Sequence, residues 1–363
     1  MLDTPGQAAD FGWPILAQDL HDKTCEMTGV LPASAHPANP WLCGPALTHS
    51  GSPLKIRGMP SILDASITRL GDIILGKEQQ LRLALACLLA RGHLLIEDLP
   101  GVGKTTLAHA LSRVLGLHYQ RIQFTSDLLP TDILGVSIYN RDTADFRFHP
   151  GPVFANIVLA DEINRATPKT QSALLEAMEE YQVTIEGESR PLPQPFFVIA
   201  TQNPLHQIGT FPLPESQLDR FLMCIELGYP DASAERQLLQ GEDRRDLLAG
   251  VAPLVSTAHL LELQQQVNTV HVADALLDYL QALLAFSRRS PHFQHGLSPR
   301  AGLALLHSAR AWAFLHDRDL VLPEDLQTML PPVINHRLQP AATPDDALSA
   351  NTPAEVLLQA VPV

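Results

Sequence analysis

The chain has 363 residues, enough for two domains that each bury a core. Apolar residues make up 45% and charged residues 18%, a balance that excludes a disordered or fibrous chain. A formal net charge of -14, with no Lys/Arg cluster, argues against a protein held to nucleic acid by phosphate neutralisation.

Residues 1–58 are rich in Pro, Gly, Ala and His, with no sustained helical or strand period, and read as a poorly ordered N-terminal extension. The opening Met1-Leu2-Asp3-Thr4-Pro5-Gly6 has neither the basic nor the apolar region of a secretory signal. Cys25, Cys43, Cys87 and Cys224 show no Cys-x-x-Cys spacing, as expected of reduced thiols in a cytoplasmic protein. The apolar run Leu83–Ala90 is bounded by Arg82 and Arg91, far short of the roughly 20 residues that span a bilayer.

From Ile62 onward Ile67, Leu70 and Ile73 recur at helical spacing, and a folded α/β domain is expected over 59–230. Within it, short β-like runs at 93–96, 119–124, 157–160, 196–200 and 222–227 alternate with helical segments. That alternation predicts a parallel five-stranded sheet covered by helices. After Pro230 the strands stop. Helical patterns at 232–240, 257–270, 273–288, 300–315 and 324–330 predict an all-α domain over 231–340. Residues 341–363, with Pro344, Pro353 and Pro362 and with Pro340 just before them, read as a tail, with Ala354–Leu358 able to form a turn or two of helix. The fifteen histidines include no His-Glu-x-x-His spacing and are read as surface or core residues rather than metal ligands.

The chemistry is concentrated at two strand ends. The run His93–Ile96 leads into Asp98, Leu99, Pro100, Gly101, Val102, Gly103, Lys104, Thr105 and Thr106, followed by a helical stretch. Strand, glycine loop and helix are the geometry a triphosphate needs. Gly101 and Gly103 let backbone N–H groups turn toward phosphate oxygens, and the helix N-terminus adds partial positive charge. Lys104 is expected to reach the β and γ phosphates, and the Thr105 hydroxyl to ligand Mg2+. The usual phosphate-loop pattern has glycine where this chain has Asp98. The second strand end is Ile157–Ala160 followed by Asp161 and Glu162, which places two carboxylates at the ligand-binding edge of an open α/β sheet. Asp161 would hold the magnesium shell, through water or directly, and Glu162 would orient the attacking water.

The segment Asp161-Glu162-Ile163-Asn164-Arg165-Ala166, with Lys169-Thr170-Gln171 and Leu174-Leu175-Glu176-Ala177-Met178-Glu179-Glu180, resembles the MoxR family of AAA+ ATPases. So do Ser126–Gly135 and Phe148–Phe154, and the resemblance spans about residues 60–340. It implies an α/β P-loop NTPase core followed by an all-α lid, using ATP and Mg2+. By this resemblance Asn203, after the strand Phe197–Ala200, is sensor 1, an amide that can donate and accept without charge. Arg220 is similarly the arginine finger, acting across a subunit boundary, with an intrachain pair to Asp219 or Glu215 as the alternative.

Arg300 follows Ser298 and Pro299, an N-cap and first helical position. An arginine there opposes the helix dipole unless an anion is near, and the resemblance makes it sensor 2, with a solvent-facing arginine as the alternative. The resemblance places the adenine around Ile74. It makes hairpins at 133–148 and 183–190 the elements that face a pore or substrate, connecting hairpins being the alternative. It further implies a ring, a hexamer by family, that works with a von Willebrand factor A domain protein on a client metalloenzyme or other complex. Two other functions fit the same ATPase residues: a nucleic-acid-dependent motor, and the ATPase subunit of a metal chelatase.

Overall fold

The computed structural model describes residues 61–203, 209–241, 244–341 and 351–363, all within one unit of the chain, Gly58–Val363. The expected extension at 1–58 lies outside the described residues. Among those residues no helix is long and apolar enough to cross a membrane.

Ser61 caps the first helix, α1 (Ile62–Ile73), by accepting from the Asp64 N–H at 3.1 Å, and α2 (Glu78–Leu89) follows. Then come β1 (Leu94–Glu97), α3 (Lys104–Val114), β2 (Tyr119–Gln123), α4 (Pro130–Leu134) and the strands β3 (Gly135–Asn140) and β4 (Asp145–Pro150). The core continues through β5 (Ile157–Asp161), α5 (Pro168–Glu180), β6 (Gln182–Ile185), β7 (Glu188–Pro191), β8 (Phe197–Gln202), α6 (Glu215–Leu218) and β9 (Met223–Ile225).

Five strands form one parallel sheet in the order β2-β5-β8-β1-β9, as the alternating texture predicts. Its inner strands are buried on both faces, which is why Ile157–Asp161 and Phe197–Gln202 read as nearly continuous apolar runs. The pleat divides them. Leu94, Ile96, Ile157, Leu159, Phe197 and Ile199 pack against α1, α2 and α3, whereas Leu95, Val158, Ala160, Val198 and Ala200 pack against α5. The two short antiparallel hairpins, β3–β4 and β6–β7, lie outside this sheet and cover the two segments expected as hairpins.

Beyond β9 the described chain is helical: α7 (Ala232–Gln240), α8 (Arg244–Ala249), α9 (Thr257–Val267), α10 (Asp274–Arg289), α11 (Pro299–Leu315) and α12 (Pro323–Ile334). Helix α11 packs on both α12 and α2, joining the helical region to the sheet region. The expected tail needs correction. Residues 353–360 form a helix, α13 (Pro353–Ala360), with a capping box between Thr352 and Glu355. Its Ala354 and Leu357 are fully buried, and the Ala354 N–H donates to Asn335 Oδ1 at 3.1 Å. The apolar positions are few but sit on one face, and a neighbouring helix end supplies what the prolines conceal.

Candidate functional site

Parallel strands bring the carboxyl ends of β1, β5 and β8 side by side, and a cavity of about 290 Å³ opens there. It is lined by Pro100, Gly101, Gly103, Lys104, Thr105, Thr106, Asp161, Glu162 and Asn203. The residues expected from the glycine loop and the two carboxylates are thus brought together. Gly101 and Gly103 have φ of 89° and 100°, the left-handed region that favours glycine, and Gly103 caps α3 so that Lys104 begins the helix.

Lys104 is 8% exposed, and its Nζ donates to the Asp98 carbonyl at 2.6 Å and to Asn203 Oδ1 at 3.3 Å. Burial pulls its pKa down, while the charges of Asp98, Asp161 and Glu162 pull it back up. Asn203 also donates through Nδ2 to Glu162 Oε1 at 3.3 Å, so one amide bridges the lysine and the carboxylate.

Several residues around the carboxylates were not expected. Thr201 Oγ1 donates to Asp161 Oδ1 at 2.6 Å and accepts the Glu162 N–H at 2.9 Å. Glu162 itself has φ of 59°, a left-handed turn that lifts its side chain out of the strand line. From β2, Arg121 donates to Asp161 Oδ2 through Nη2 at 2.6 Å and Nε at 3.1 Å, and Gln123 Nε2 donates to Glu162 Oε2 at 3.0 Å. Arg165 Nε lies 3.1 Å from the same Glu162 oxygen. The spacing of Arg121 and Gln123, two apart on a strand, puts both on one side of the sheet. That is a usable signal, but it points to Asp161 and Glu162 only once β2 is known to pair with β5.

Oxygen donors suit a hard cation such as Mg2+, and the Thr105 hydroxyl and Asp161 carboxylate lining one cavity fit it. Other expected residues lie elsewhere. Asp98 is buried with its carboxylate directed to Leu227 and Gly228 rather than lining the cavity. Leu99 is exposed, Val102 packs on the core, and Ile74 is buried in that core; none of the three lines the cavity.

Arg220 and Arg300 meet at a second cavity, of about 220 Å³, whose lining includes Gly92, His93 and Leu222 immediately before β1 and β9. This is the opposite, amino-terminal edge of the sheet. One carboxylate holds both guanidiniums: Arg220 Nη2 lies 3.0 Å from Glu179 Oε2, and Arg300 Nη1 lies 3.1 Å from Glu179 Oε1. Arg220 is thus paired within the chain with Glu179 rather than with the expected Asp219 or Glu215. Asp219 is held by Arg337 Nε at 2.7 Å.

Arg337, whose side chain is 5% exposed, also donates to the carbonyls of Asp219, Phe221, Leu222 and Val333, so the segment after α12 grips the chain that carries Arg220. Arg300 stands in the first turn of α11, where Ser298 caps by accepting the Ala301 N–H at 3.1 Å. Within the chain the anion beside it is Glu179. His93 braces this edge from below: Nδ1 accepts the Val198 N–H at 3.0 Å while Nε2 donates to the Met178 carbonyl at 3.2 Å.

Residues 93–223 match the model of the ATPase family associated with various cellular activities, and residues 285–357 match the AAA lid domain. The chain is similar to Chaperone MoxR1 of Mycobacterium tuberculosis, at 41% identity over 82% of this chain and 80% of that protein. It is 46% identical to the uncharacterized protein YeaC of Bacillus subtilis, over 76% of this chain and 87% of that one. A crystal structure of a putative ATPase from Cytophaga hutchinsonii superposes with a TM-score of 0.75 at 36% identity, covering 82% of this chain and 92% of that chain. With the phosphate-loop geometry, the sheet order and the helical lid, these likenesses establish that the chain belongs to the MoxR family of AAA+ ATPases, whose members bind and hydrolyse ATP.

Proposed function

We propose that the chain hydrolyses Mg-ATP in the cavity at the carboxyl edge of the sheet, within a ring in which Arg220 and Arg300 of one copy complete the cavity of the next. The observation that carries this is the division of charge. Among the residues lining the phosphate cavity Lys104 is the sole cation, while both arginines stand at the opposite edge of the same sheet. A guanidinium is permanently charged and forked, suited to the γ-phosphate, and here only another copy's phosphate can receive it.

In this reading the N–H groups of the 100–106 loop and Lys104 hold the phosphates, and Thr105 and Asp161 hold Mg2+. The metal, when bound, neutralises charge between the phosphates. Glu162, held by Gln123, Asn203 and Arg165, orients the water, and Asn203 keeps it in register with Lys104. Arg121 and Thr201 keep Asp161 oriented, because each of its oxygens has a donor.

The work done with that hydrolysis is remodelling of a partner protein in the cytoplasm, aided by a von Willebrand factor A domain protein. The name of the M. tuberculosis relative, a chaperone, supports this reading, and the net charge of -14 weighs against a nucleic-acid motor. The exposed aromatic and aliphatic side chains of the β3–β4 hairpin, Val136, Ile138, Tyr139 and Phe146, suit a protein-facing work element.

Mixing Arg220→Ala with Glu162→Gln subunits tests the ring. Each homomer should be inactive, and the mixture should recover hydrolysis because some interfaces pair an intact cavity with an intact arginine. Assembly of mixed rings without recovery counts against the assignment. Stimulation of turnover by DNA, with indifference to a von Willebrand partner, would favour the motor, and dependence on a porphyrin-binding subunit the chelatase.

A further inference from the structure

The residue that replaces glycine at the start of the phosphate loop has an occupation of its own. A carboxylate pointing into a phosphate cavity would repel its ligand, and Asp98 instead turns away and is 8% exposed. Its Oδ2 accepts the N–H groups of Leu227 at 2.7 Å and Gly228 at 2.6 Å, and its Oδ1 accepts the Leu99 N–H at 2.7 Å. Leu227 and Gly228 lie in the connection from β9 to α7, the passage from the sheet region into the helical region.

Gly228, with a φ of 62°, adopts the left-handed conformation within this passage. Lys77, from the α1–α2 connection, donates to the Tyr229 carbonyl at 2.7 Å on the same stretch. At its other end Asp98 is tied to the nucleotide loop: its carbonyl accepts Lys104 Nζ at 2.6 Å, and its N–H donates to the Gln202 carbonyl at 3.2 Å, at the end of β8.

One residue therefore holds the phosphate-binding lysine through its backbone and the interdomain passage through its side chain. We propose that Asp98 is a positioning residue that transmits phosphate occupancy at Lys104 to the 227–231 connection and so to the helical lid. Phosphate competes for Lys104, the Asp98 carbonyl loses its charged donor, and the peptide that carries the carboxylate shifts with the two amides it grips. The three charge-assisted bonds are short and are buried or part-buried, so the link is stiff. This rests on the reading of the 100–106 loop as the phosphate site.

The test compares full-length wild type with Asp98→Ala and Asp98→Asn, by hydrogen exchange and by the distance between spin labels at Arg113→Cys on α3 and Glu324→Cys on α12. In wild type, ATP should protect the 100–106 amides and change the label distance. In Asp98→Ala the Leu227 and Gly228 amides should exchange about tenfold faster, the loss expected when buried donors lose their acceptor. ATP should still protect 100–106, kcat should fall with KM little changed, and the ATP-dependent distance change should shrink by more than half.

Asp98→Asn keeps one acceptor for the two amides but opposes the Leu99 N–H, so it should fall between, and it carries the test if the Ala variant does not fold. A merely structural cap would lower the melting temperature and leave the distance change intact; that result, in either folded variant, overturns the proposal. A wild type in which ATP protects 100–106 without moving the labels overturns it too. Absence of that protection in wild type overturns the phosphate-site reading instead.

Discussion

The two edges of the central sheet hold two cavities assembled in opposite ways. At the carboxyl edge, six of the nine lining residues fall between Pro100 and Thr106, and of the remaining three Asp161 ends a strand while Glu162 and Asn203 directly follow one. At the amino edge, Glu179 stands in the last turn of a helix, Arg220 follows a short one, Arg300 stands in the first turn of another and Arg337 lies beyond α12. One cavity is a loop that folds back on its own helix; the other exists only after the lid has docked on the sheet. The first is therefore equipped to hold a ligand within a single chain. The second presents cations outward, and its chemistry depends on what is brought to it.

That division is sharpest in single substitutions. Lys104→Ala should abolish nucleotide binding, read by titration with a fluorescent ADP, because the cavity loses the sole cation among its lining residues. Retained tight binding would mean that the phosphates sit elsewhere. Arg220→Ala should leave that binding intact and lower kcat by a factor on the order of a thousand, the scale of an arginine finger. A variant that loses binding and hydrolysis together would place Arg220 in its own chain's nucleotide site and dissolve the distinction between the edges.

The carboxyl edge was legible because its chemistry depends on neighbours in sequence: Gly101, Gly103, Lys104 and Thr105 act through a few consecutive peptides, and Asp161 and Glu162 close a strand whose apolar run is unmistakable. The five strands were legible for the same reason. Arg121 and Gln123 were not, since their role follows from β2 pairing with β5 at register Gln123 to Asp161, a contact between residues 38 positions apart. Asp98 looked like a loop residue because the pattern it departs from concerns phosphate, whereas its partners are backbone amides beyond residue 225. Glu179 and Arg337 look like ordinary helix-end charges. What makes them specific is a partner contributed by the other region, Arg300 for Glu179 and the 219–222 segment for Arg337, which no local period encodes.

His93 links the amino edge to the stability of the whole sheet. Burial, with a smaller contribution from the Arg300 charge, pushes its pKa down to about 4 from the ordinary 6.5, against the pull of the Met178 carbonyl. The folded chain therefore keeps the ring neutral where the unfolded chain would protonate it. Its contribution is complete above about pH 6.5 and is lost as pH falls toward 4, a change of about 3 kcal/mol. Denaturant titrations of wild type and His93→Gln should show a stability difference that narrows across that interval. A difference independent of pH would mean the imidazole is not held neutral between Val198 and Met178.

The mildest lesion is Glu179→Gln. Two guanidiniums share this carboxylate at a partly exposed site, where an ion pair contributes less than about 1 kcal/mol, so the melting temperature should hardly move. Without the negative charge, Arg220 and Arg300 repel each other and lose their common orientation. Hydrolysis should then fall about tenfold, a loss equivalent to about 1.4 kcal/mol of transition-state stabilisation, with nucleotide affinity unchanged. The glutamine retains an oxygen that can accept from one arginine, so the loss should be smaller than in Arg220→Ala. An unchanged rate would assign Glu179 only to packing of α5. Weakened ATP binding with an unchanged rate would show instead that the amino edge shapes its own chain's phosphate cavity through the sheet, and the two edges would then have to be treated as one site.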